Sequence, residues 1–480
     1  MSQLDPDIDH LLRRAGFGAS PADVKAFGDL SYGAAARSLV DVADQADDVD
    51  EWIGRPGYAR VGARDGFSPD TDINDARQRW LFRMIHTRRP LREKMALFWH
   101  NHFATAYSKL AVDGGGLQAA KMLAMKPGVL RGPQGQIETF RQHGLGNFRD
   151  LLLHVARDPA TLVWLDGQFN TRERPQENFA REVMELFTVG VGHHTEQDVY
   201  AAARVFTGWN LQPSEEYRRG DMQAYRAFVY NAHHHDTDPK TFSFPIYGDG
   251  TRTIPARSEG AGVQDGIDLI TALARHPETG RRLARKFWSF FVSEVEAPDP
   301  AFVEAVAGVY QRSGTEMRPV VHDVLTSPWF TDPRHRFARY ASPAEFVARA
   351  IKEVGWQDLS LEAVLSPMAL MGMQLFEPPD VGGWPLGAGW FSTGTMLARA
   401  NFAATLAGSQ RAFLAASLAG YGGGPQSLLG AMLERLTPAP FDATPQQALL
   451  SYAGSNVGPL ETRAAGLARL ITGAAEYQLV

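Results

Sequence analysis

The chain has 480 residues, of which 44% are hydrophobic and 21% are charged, and its formal net charge is −6. This acidic balance argues against nucleic acid as the main partner, because phosphate binding requires a basic face. The absence of cysteine excludes disulfides, thiolate nucleophiles, thiolate zinc sites and iron–sulfur clusters.

The N-terminal stretch MSQLDPDIDHLLRRAGFG has no apolar segment of the kind found in export signals, and no apolar run long enough to span a membrane follows it. The sequence as given therefore predicts a protein without a membrane span and located in the cytoplasm. A periplasmic location is the alternative if an export signal has been removed from it.

Apolar residues recur at spacings of three and four along most of the chain, which predicts helices. The predicted helices span 75–86, 91–103, 147–156, 176–189, 196–206, 263–275, 279–293, 300–312, 318–326, 342–354 and 393–418. Ser20-Pro21, Thr195 and Ser342-Pro343 have the residue types that favour helix N-termini.

Strand signals are confined to FVYNA (228–232) and TFSFPIYGDGTRTI (241–254), whose Asp-Gly pair favours a hairpin turn. We predict a mainly α fold, either a bundle or a helical toroid, with at most a small β-hairpin. Residues 1–418 are predicted to form one large helical domain with long loops at 106–146, 211–262 and 376–392. Residues 419–480 are predicted to form a C-terminal helical extension packed on it.

Two histidines stand two positions apart in FWHNHFAT (98–105). His102 shares an apolar stripe with Met95, Phe98 and Trp99, and His100 lies about 200° around the helix from it. The two rings therefore cannot bind one small ion on a regular helix. Either His102 is a core histidine and His100 a surface one, or one of them enters a polar site, for which we favour His100.

The segment PQENFAREVMELFTVGVG (175–192) carries an apolar stripe and a separate polar stripe. The polar stripe contains Asn178, Arg181, Glu182 and Glu185, and Glu177 can pair with Arg181 one turn away. Glu182 and Glu185 are three residues apart, which suits a carboxylate pair for acid and base work or a shared metal. A solvated helix face with ion pairs is the alternative.

The segment NAHHHDTDPK (231–240) places three histidines beside Asp236 and Asp238 and ends at Lys240. Such a tract is compositionally suggestive of metal binding, although a polar loop that is rich in histidine is an equal alternative. Lys240 would be repelled by a metal, so it favours recognition of an anion or a hydroxyl group.

Three tryptophans, Trp209, Trp384 and Trp390, lie in loop contexts in TGWN (207–210) and GGWPLGAGW (382–390). Tryptophans in loops line ligand clefts or cover a core, and the sequence does not decide between the two. The chain contains no nucleotide-binding motif and no GxSxG or HExxH motif, so neither a nucleotide cofactor nor a serine nucleophile is indicated.

Taken together, several segments resemble the bacterial domain-of-unknown-function 1800 family. They are HLLRRAGFGASP (10–21), PLREKMALFWHNHFAT (90–105), PQENFAREVMELFTVGVGHHTEQDV (175–199), AARVFTGWN (202–210), HDTDPKTF (235–242), ARKFWSFFV (284–292) and FEPPDVGGWP (376–385). The chain departs from the family pattern at Gln176, where the family usually has Asn, and at Phe242-Ser243, where Leu-Gly is usual.

The resemblance implies a polar site but no reaction. It assigns these residues to the family pattern: His100, His102, Glu177, Asn178, Arg181, Glu182, Glu185, Asp198, Arg204, His235, Asp236 and Lys240.

We expect an enzyme, most plausibly a hydrolase acting on a glycan or cell-surface polymer by carboxylate acid/base chemistry. The expected catalytic residues are Glu182, Glu185, Asp236, His235 and His100. The expected substrate-binding residues are Arg181, Glu177, Asn178, His102, Lys240, Trp209, Trp384 and Trp390.

Two alternatives remain open. One is a metal-dependent hydrolase or oxidoreductase, in which His100, Glu182, Glu185, His235 and Asp236 would hold a divalent metal. The other is a non-catalytic scaffold or carbohydrate-binding protein whose charged pattern is a buried structural network.

Overall fold

The computed structural model describes residues 4–41, 45–62, 66–219, 221–418, 423–436, 441–455 and 458–480. The fold is mainly α-helical, as predicted. The helices of the first half are α1 (Pro6–Arg14), α2 (Pro21–Phe27), α3 (Tyr32–Val40), α4 (Ile73–His86), α5 (Pro90–His102), α6 (Tyr107–Gly114), α7 (Gly116–Ala124), α8 (Gln136–His143), α9 (Phe148–Ala156), α10 (Pro159–Trp164), α11 (Glu177–Glu182) and α12 (Glu196–Val205).

The helices of the second half are α13 (Val263–Arg275), α14 (Pro277–Phe287), α15 (Pro300–Arg312), α16 (Met317–Thr326), α17 (Pro328–Thr331), α18 (Pro343–Val354), α19 (Glu362–Leu370), α20 (Thr393–Ser409), α21 (Arg411–Ser417), α22 (Pro425–Leu436), α23 (Ala443–Gly454) and α24 (Leu460–Gly473). Two π-helical turns, Val183–Phe187 and Trp288–Val292, directly continue α11 and α14.

The described strands form two small antiparallel pairs. Strand β1 (Trp209–Pro213) pairs with β2 (Arg226–Tyr230), with Trp209 opposite Tyr230. Strand β3 (Lys240–Thr241) pairs with β4 (Thr253–Ile254), so the second predicted strand segment does fold back on itself. The β1–β2 pair adds one hairpin to the single one that the sequence predicted.

The helix predictions hold except in four segments. The region 106–146, predicted as a loop, contains α6, α7 and α8, because Gly115 adopts a positive φ of 82° and joins two helices end to end. The predicted helix 393–418 breaks at Gln410. The predicted helices 176–189 and 279–293 each change from α to π geometry before they end.

The three predicted helix starts are confirmed, and each carries a reciprocal capping box. The side chains of Ser20, Thr195 and Ser342 each accept a hydrogen bond from the backbone N–H three residues on. Such caps satisfy backbone N–H groups that the first helical turn leaves without partners.

Three helices at the centre of the molecule, α4, α5 and α18, are buried around almost their whole circumference. Helix α4 contacts both α5 and α18. Each of the three carries fully buried charged side chains in addition to apolar ones. Because an unpaired buried charge is costly, these side chains require partners of opposite charge.

Glu93 of α5 lies between two guanidinium groups. Its carboxylate oxygens are 2.7 Å from Arg83 Nε and 2.9 Å from Arg141 Nε. Burial alone would raise the pKa of Glu93, but Arg141 and Arg83 outweigh burial and lower it. Glu93 therefore joins α4, α5 and α8 as a fully ionised group.

Lys94, the next residue of α5, makes the corresponding contacts on another side of the helix. Its ammonium pairs with Glu345 of α18 and donates to the carbonyl oxygen of Gly16 at 3.0 Å. Arg339 also binds Glu345, at 2.9 Å. Glu345 is at the same time the capping-box residue of α18, so one carboxylate both starts that helix and attaches it to α5.

The C-terminal helices pack on this centre. Helix α24 contacts α20 and α21, and Arg349 of α18 donates to the carbonyl oxygen of Leu479 at 2.9 Å. The boundary predicted between 418 and 419 adjoins residues 419–422, which lie outside the described residues, and the division into two domains stays a prediction. Among the described helices, none combines the length and the apolar character needed to cross a membrane.

Replacing Glu93 by Gln tests whether the buried ion pairs hold the helices together. We expect a loss of about 3–5 kcal/mol in the free energy of unfolding, because Arg83 and Arg141 would keep their charges without this partner. Glu51→Gln is the matched control, since Glu51 and Arg55 form an exposed pair 3.8 Å apart. Denaturant titration measures both variants, and a similar small effect in the two would contradict the role given to Glu93.

Candidate functional site

The polar stripe predicted on 175–192 exists and follows one side of α11 and its π turn. Phe179, Val183 and Phe187 are buried on the opposite side, as the apolar stripe predicted. Glu182 ends the α-helical part, and Glu185 lies within the π turn. Turns of this geometry are rare in proteins and occur frequently at functional sites.

Arg181 binds three carboxylates around this stripe. Its guanidinium lies 3.2 Å from Glu185, 3.3 Å from Glu177 and 2.7 Å from Glu196. The expected pairing of Arg181 with Glu177 is thus present, and Glu196 of α12 is an additional partner that the sequence did not indicate.

Glu182 differs from these carboxylates because it has no such partner. Its side chain is half-buried, and among the described residues it forms no ion pair and accepts no hydrogen bond. Burial raises the pKa of Glu182, the negative charge of Glu185 raises it further, and only Arg181 opposes this. Glu182 is therefore a carboxyl group that holds a proton more readily than an ordinary glutamate in water does.

Glu185 has the opposite environment. Its Oε1 atom lies 3.2 Å from Arg181 and 3.4 Å from Nε2 of His194, whose side chain is only 5% exposed. Arg181 and His194 thus lie against the carboxylate of Glu185, whereas no such group binds Glu182 among the described residues. Glu182 and Glu185 are a neighbouring pair of carboxyl groups in different surroundings, one unpaired with a raised pKa and one bound by a guanidinium.

Asn178 connects this stripe to a second surface. Its Nδ2 atom donates to Asp166 at 3.2 Å, and Asp166 also binds Lys109 at 3.0 Å. Two aromatic side chains flank Asp166 in sequence: Trp164 is half-buried and Phe169 is 61% exposed. Their local sequence pattern did not indicate these aromatics, which are close in the chain to Asp166 and hence to its contact with Asn178.

The HDTDPK segment forms a separate network around three fully buried side chains, those of His235, Lys240 and Asp265. His235 and Lys240 both contact Asp265 of α13, at 3.3 Å and 2.7 Å, and Arg257 pairs with it as well. The pKa of Asp265 is lowered because these hydrogen bonds and charges outweigh burial, which alone would raise it. The sequence did not point to Asp265, which lies 25 residues beyond Lys240.

Asp236 is also saturated by its neighbours. Arg204 binds both carboxylate oxygens of Asp236, at 2.7 Å and 3.0 Å. The backbone N–H of Asp236 donates to the hydroxyl of Thr207. A closed network of this kind restrains the loop. Most of its hydrogen-bond donors and acceptors are already used, so few are left for a ligand. The catalytic roles expected for His235 and Asp236 stay predictions, and the geometry gives both residues structural partners.

Asp198 binds Ser243, one of the residues at which the chain departs from the family pattern. Its carboxylate caps α12 and also accepts hydrogen bonds from the backbone N–H of Ser243 at 2.7 Å and from the Ser243 hydroxyl at 2.6 Å. The backbone bond is open to any residue at 243, whereas the second bond requires a hydroxyl. Ser243 therefore strengthens the attachment of the loop to α12.

The two histidines of FWHNHFAT point to different places, as the helix geometry predicted. His100 is 1% exposed and lies among aromatic rings, with its centroid 5.3 Å from Trp384 and 5.5 Å from Trp80. Within the part of the chain that the structure describes, its Nε2 atom has no hydrogen-bond partner. The idea that His100 is a surface residue is wrong, and its expected catalytic role stays a prediction.

Polar contacts of His102 come from two neighbouring segments. Its Nε2 atom is 3.1 Å from the carbonyl oxygen of Phe187, and its Nδ1 atom is 2.8 Å from Nζ of Lys286. The apolar stripe of α5 faces α14, and Lys286 of α14 reaches into this otherwise apolar contact. The preference for His100 as the histidine of a functional site stays a prediction.

The three loop tryptophans do not line an open rim. Trp209, Trp384 and Trp390 are 0%, 5% and 4% exposed. Trp384 covers His100, and its backbone N–H donates to Asn101 at 2.6 Å. The geometry is that of tryptophans covering a core, which was one of the two interpretations that the sequence left open.

The five residues considered as a metal set fall into three separate places: the aromatic surroundings of His100, the stripe of Glu182 and Glu185, and the network of His235 and Asp236. Among the described residues, no three His, Asp or Glu side chains come close enough together to hold a metal ion. A cavity of about 660 Å³ lies elsewhere, at the start of α4, lined in part by Asp72, Asp75 and Glu362.

Comparison with known proteins finds one match. A family model described as "Protein of unknown function (DUF1800)" matches residues 10–479, nearly the whole chain. No curated protein and no solved structure matches the chain.

The burial of His100 predicts a pH dependence of stability. Burial lowers the pKa of His100 to about 3, whereas an unfolded histidine titrates near about 6.5. Between these values the unfolded state binds a proton that the folded state excludes, so stability is lost as the pH falls. We expect His100→Asn to reduce the pH slope of the unfolding free energy by about 1.4 kcal/mol per unit between about pH 4 and 6.

Unfolding titrations at several pH values measure this slope without depending on the absolute stability of the variant. His233→Asn is the control, because the side chain of His233 is 87% exposed. An unchanged slope in His100→Asn would contradict the buried, neutral state of His100.

Proposed function

This chain belongs to the DUF1800 family, and we propose that it is a hydrolase whose acid and base groups are Glu182 and Glu185. The observation that carries the proposal is the contrast between these two carboxyls. Glu182 is half-buried, unpaired and has a raised pKa, whereas Glu185 is bound by Arg181 and faces His194. An unpaired carboxyl group with a raised pKa suits a general acid, and a neighbouring carboxyl group bound by a guanidinium suits the base or nucleophile.

In the proposed reaction Glu182 donates a proton to the leaving oxygen as its bond to carbon breaks. Glu185 accepts a proton from the attacking water, or attacks the carbon itself and is released by water in a second step. Arg181 binds Glu185, and Glu177 and Glu196 hold Arg181 in place. The protonated form of Glu182 is the active one, so activity is lost as the pH rises through its raised pKa.

A glycan is the substrate class that the surroundings favour. Sugar rings are bound by hydrogen-bonding side chains together with an aromatic face. Asn178 and Asp166 supply the polar groups, and Phe169 supplies an exposed ring three residues beyond Asp166. The aromatic side chains proposed to bind the sugar are therefore Trp164 and Phe169, in place of the buried loop tryptophans.

Glycan turnover by Glu182→Gln tests the proposal. The purified protein is offered neutral and acidic polysaccharides, and new reducing ends are measured. We expect Glu182→Gln to lower the rate at least about 100-fold, because Gln has the same shape but no transferable proton. Glu173→Gln is the matched control, since Glu173 is exposed and pairs only with Arg172 on the surface.

Three outcomes would contradict the proposal. A Glu182→Gln variant with wild-type turnover would remove Glu182 from the chemistry, and a wild-type protein that cleaves no polysaccharide would exclude the glycan class. Stoichiometric metal that is lost on Glu185→Ala would favour the metal-dependent alternative instead.

A further inference from the structure

Lys286 is the second-last residue of α14 and lies two residues before Trp288, where the π turn Trp288–Val292 begins. Its side chain is half-buried, and its Nζ atom is 2.8 Å from Nδ1 of His102. The residue is part of the segment ARKFWSFFV, and no role has been given to it above. Its surroundings differ from those of the other lysines.

The contacts of His102 fix the direction of the hydrogen bond to Lys286. The carbonyl oxygen of Phe187 can only accept, so Nε2 of His102 carries the ring proton and donates it at 3.1 Å. The Nδ1 atom is therefore an acceptor, and Lys286 donates to it. Burial, followed by the charges of Lys286 and Arg282, lowers the pKa of His102 well below its usual value, so the ring stays neutral.

No negative charge balances Lys286. Among the described residues, neither Lys286 nor Arg282 forms an ion pair, and Arg282 donates instead to the carbonyl oxygen of Leu186 at 3.2 Å. Burial, assisted by the positive charge of Arg282, lowers the pKa of Lys286 to about 7. Desolvation and a neighbouring cation are the two means by which proteins turn a lysine into a nucleophile.

The chain has eight lysines, and their surroundings can be compared one by one. Lys94, Lys109, Lys126, Lys240 and Lys352 each form an ion pair with a carboxylate. Lys121 is buried against backbone carbonyl groups, and Lys25 is exposed. Lys286 alone combines partial exposure, an uncharged acceptor and an adjacent cation among the described lysines.

We propose that Lys286 is a nucleophilic amine that forms an imine with the carbonyl carbon of an aldehyde or ketone. The neutral Nζ attacks that carbon and forms the C–N bond, and the carbonyl oxygen takes up protons and leaves as water. With one proton taken from solvent the product is an iminium ion, which keeps a single N–H. That N–H donates to Nδ1 of His102, so His102 positions the amine before the reaction and the iminium after it.

This site adjoins the π turn that contains Glu185, because His102 and Arg282 bind the carbonyl oxygens of Phe187 and Leu186. Its test nevertheless does not depend on hydrolase activity. The probe is glycolaldehyde with sodium cyanoborohydride at neutral pH, which converts each iminium into a stable secondary amine. Peptide mass mapping at short times then gives a labelling rate for each of the eight lysines.

At pH 7 an amine with a pKa of about 7 is about half neutral, whereas an ordinary lysine is neutral in about one molecule in 2,500. An amine with a low pKa is intrinsically less nucleophilic, and Lys286 is partly buried. Both effects offset some of this advantage. We expect Lys286 to be labelled at least about tenfold faster than Lys25 or Lys109. Labelling of Lys286 at or below the rate of Lys25 in the wild-type protein would overturn the proposal.

Three variants sharpen the result. Lys286→Arg must remove the fast site, which confirms its assignment. Arg282→Gln removes the adjacent charge and is expected to slow labelling of Lys286 severalfold, while leaving Lys25 as the internal reference. His102→Leu removes the acceptor and is expected to slow it as well. Labelling at wild-type rates in both Arg282→Gln and His102→Leu would contradict the activation described for Lys286.

Discussion

The fold depends on the pairing of charges that are removed from water. Helices α4, α5 and α18 are buried on nearly all sides, yet carry Arg83, Glu93, Lys94 and Glu345. Each of these side chains has an oppositely charged partner on another helix, so the ion pairs fix which helix lies against which. Pairs of this kind add little net stability compared with apolar contacts, but breaking one of them is expensive. They therefore act mainly as constraints on the arrangement of the helices.

Because buried charges are paired in most of the molecule, a titratable group without an opposite charge is a candidate for a functional role. The charges of Asp265, Lys240 and Asp236 are all matched within the HDTDPK network. Among the described residues, Arg14 and Arg399 are fully buried and donate to backbone carbonyl oxygens in place of a carboxylate. Glu182 and Lys286 are half-buried, and no opposite charge from this part of the chain is bound to either of them. Titratable groups with shifted pKa values are concentrated at functional sites. The two proposals rest on Glu182 and Lys286, whereas the closed networks have a structural role.

The sequence predicted what depends on local pattern. Helix bounds and the caps at Ser20, Thr195 and Ser342 follow from spacing and residue type, whereas α6 and α7 were missed because Gly115 and its neighbours are typical of loops. The separation of His100 from His102 also followed from helix geometry. Which histidine meets a polar group did not, because Lys286 lies 184 positions from His102 along the chain. Likewise, Asp265 and the exposed Phe169 become relevant only once helices distant in sequence are packed together.

The most direct test of this division is the free energy of unfolding of Glu182→Gln measured beside that of Asp265→Asn at neutral pH. A raised pKa means that the ionised form of Glu182 opposes folding, so a neutral side chain removes that cost. The account predicts that Glu182→Gln is at least as stable as wild type, whereas Asp265→Asn loses about 3 kcal/mol or more. A Glu182→Gln variant destabilised by more than about 1 kcal/mol would contradict it, because Glu182 would then be a structural residue like Asp265.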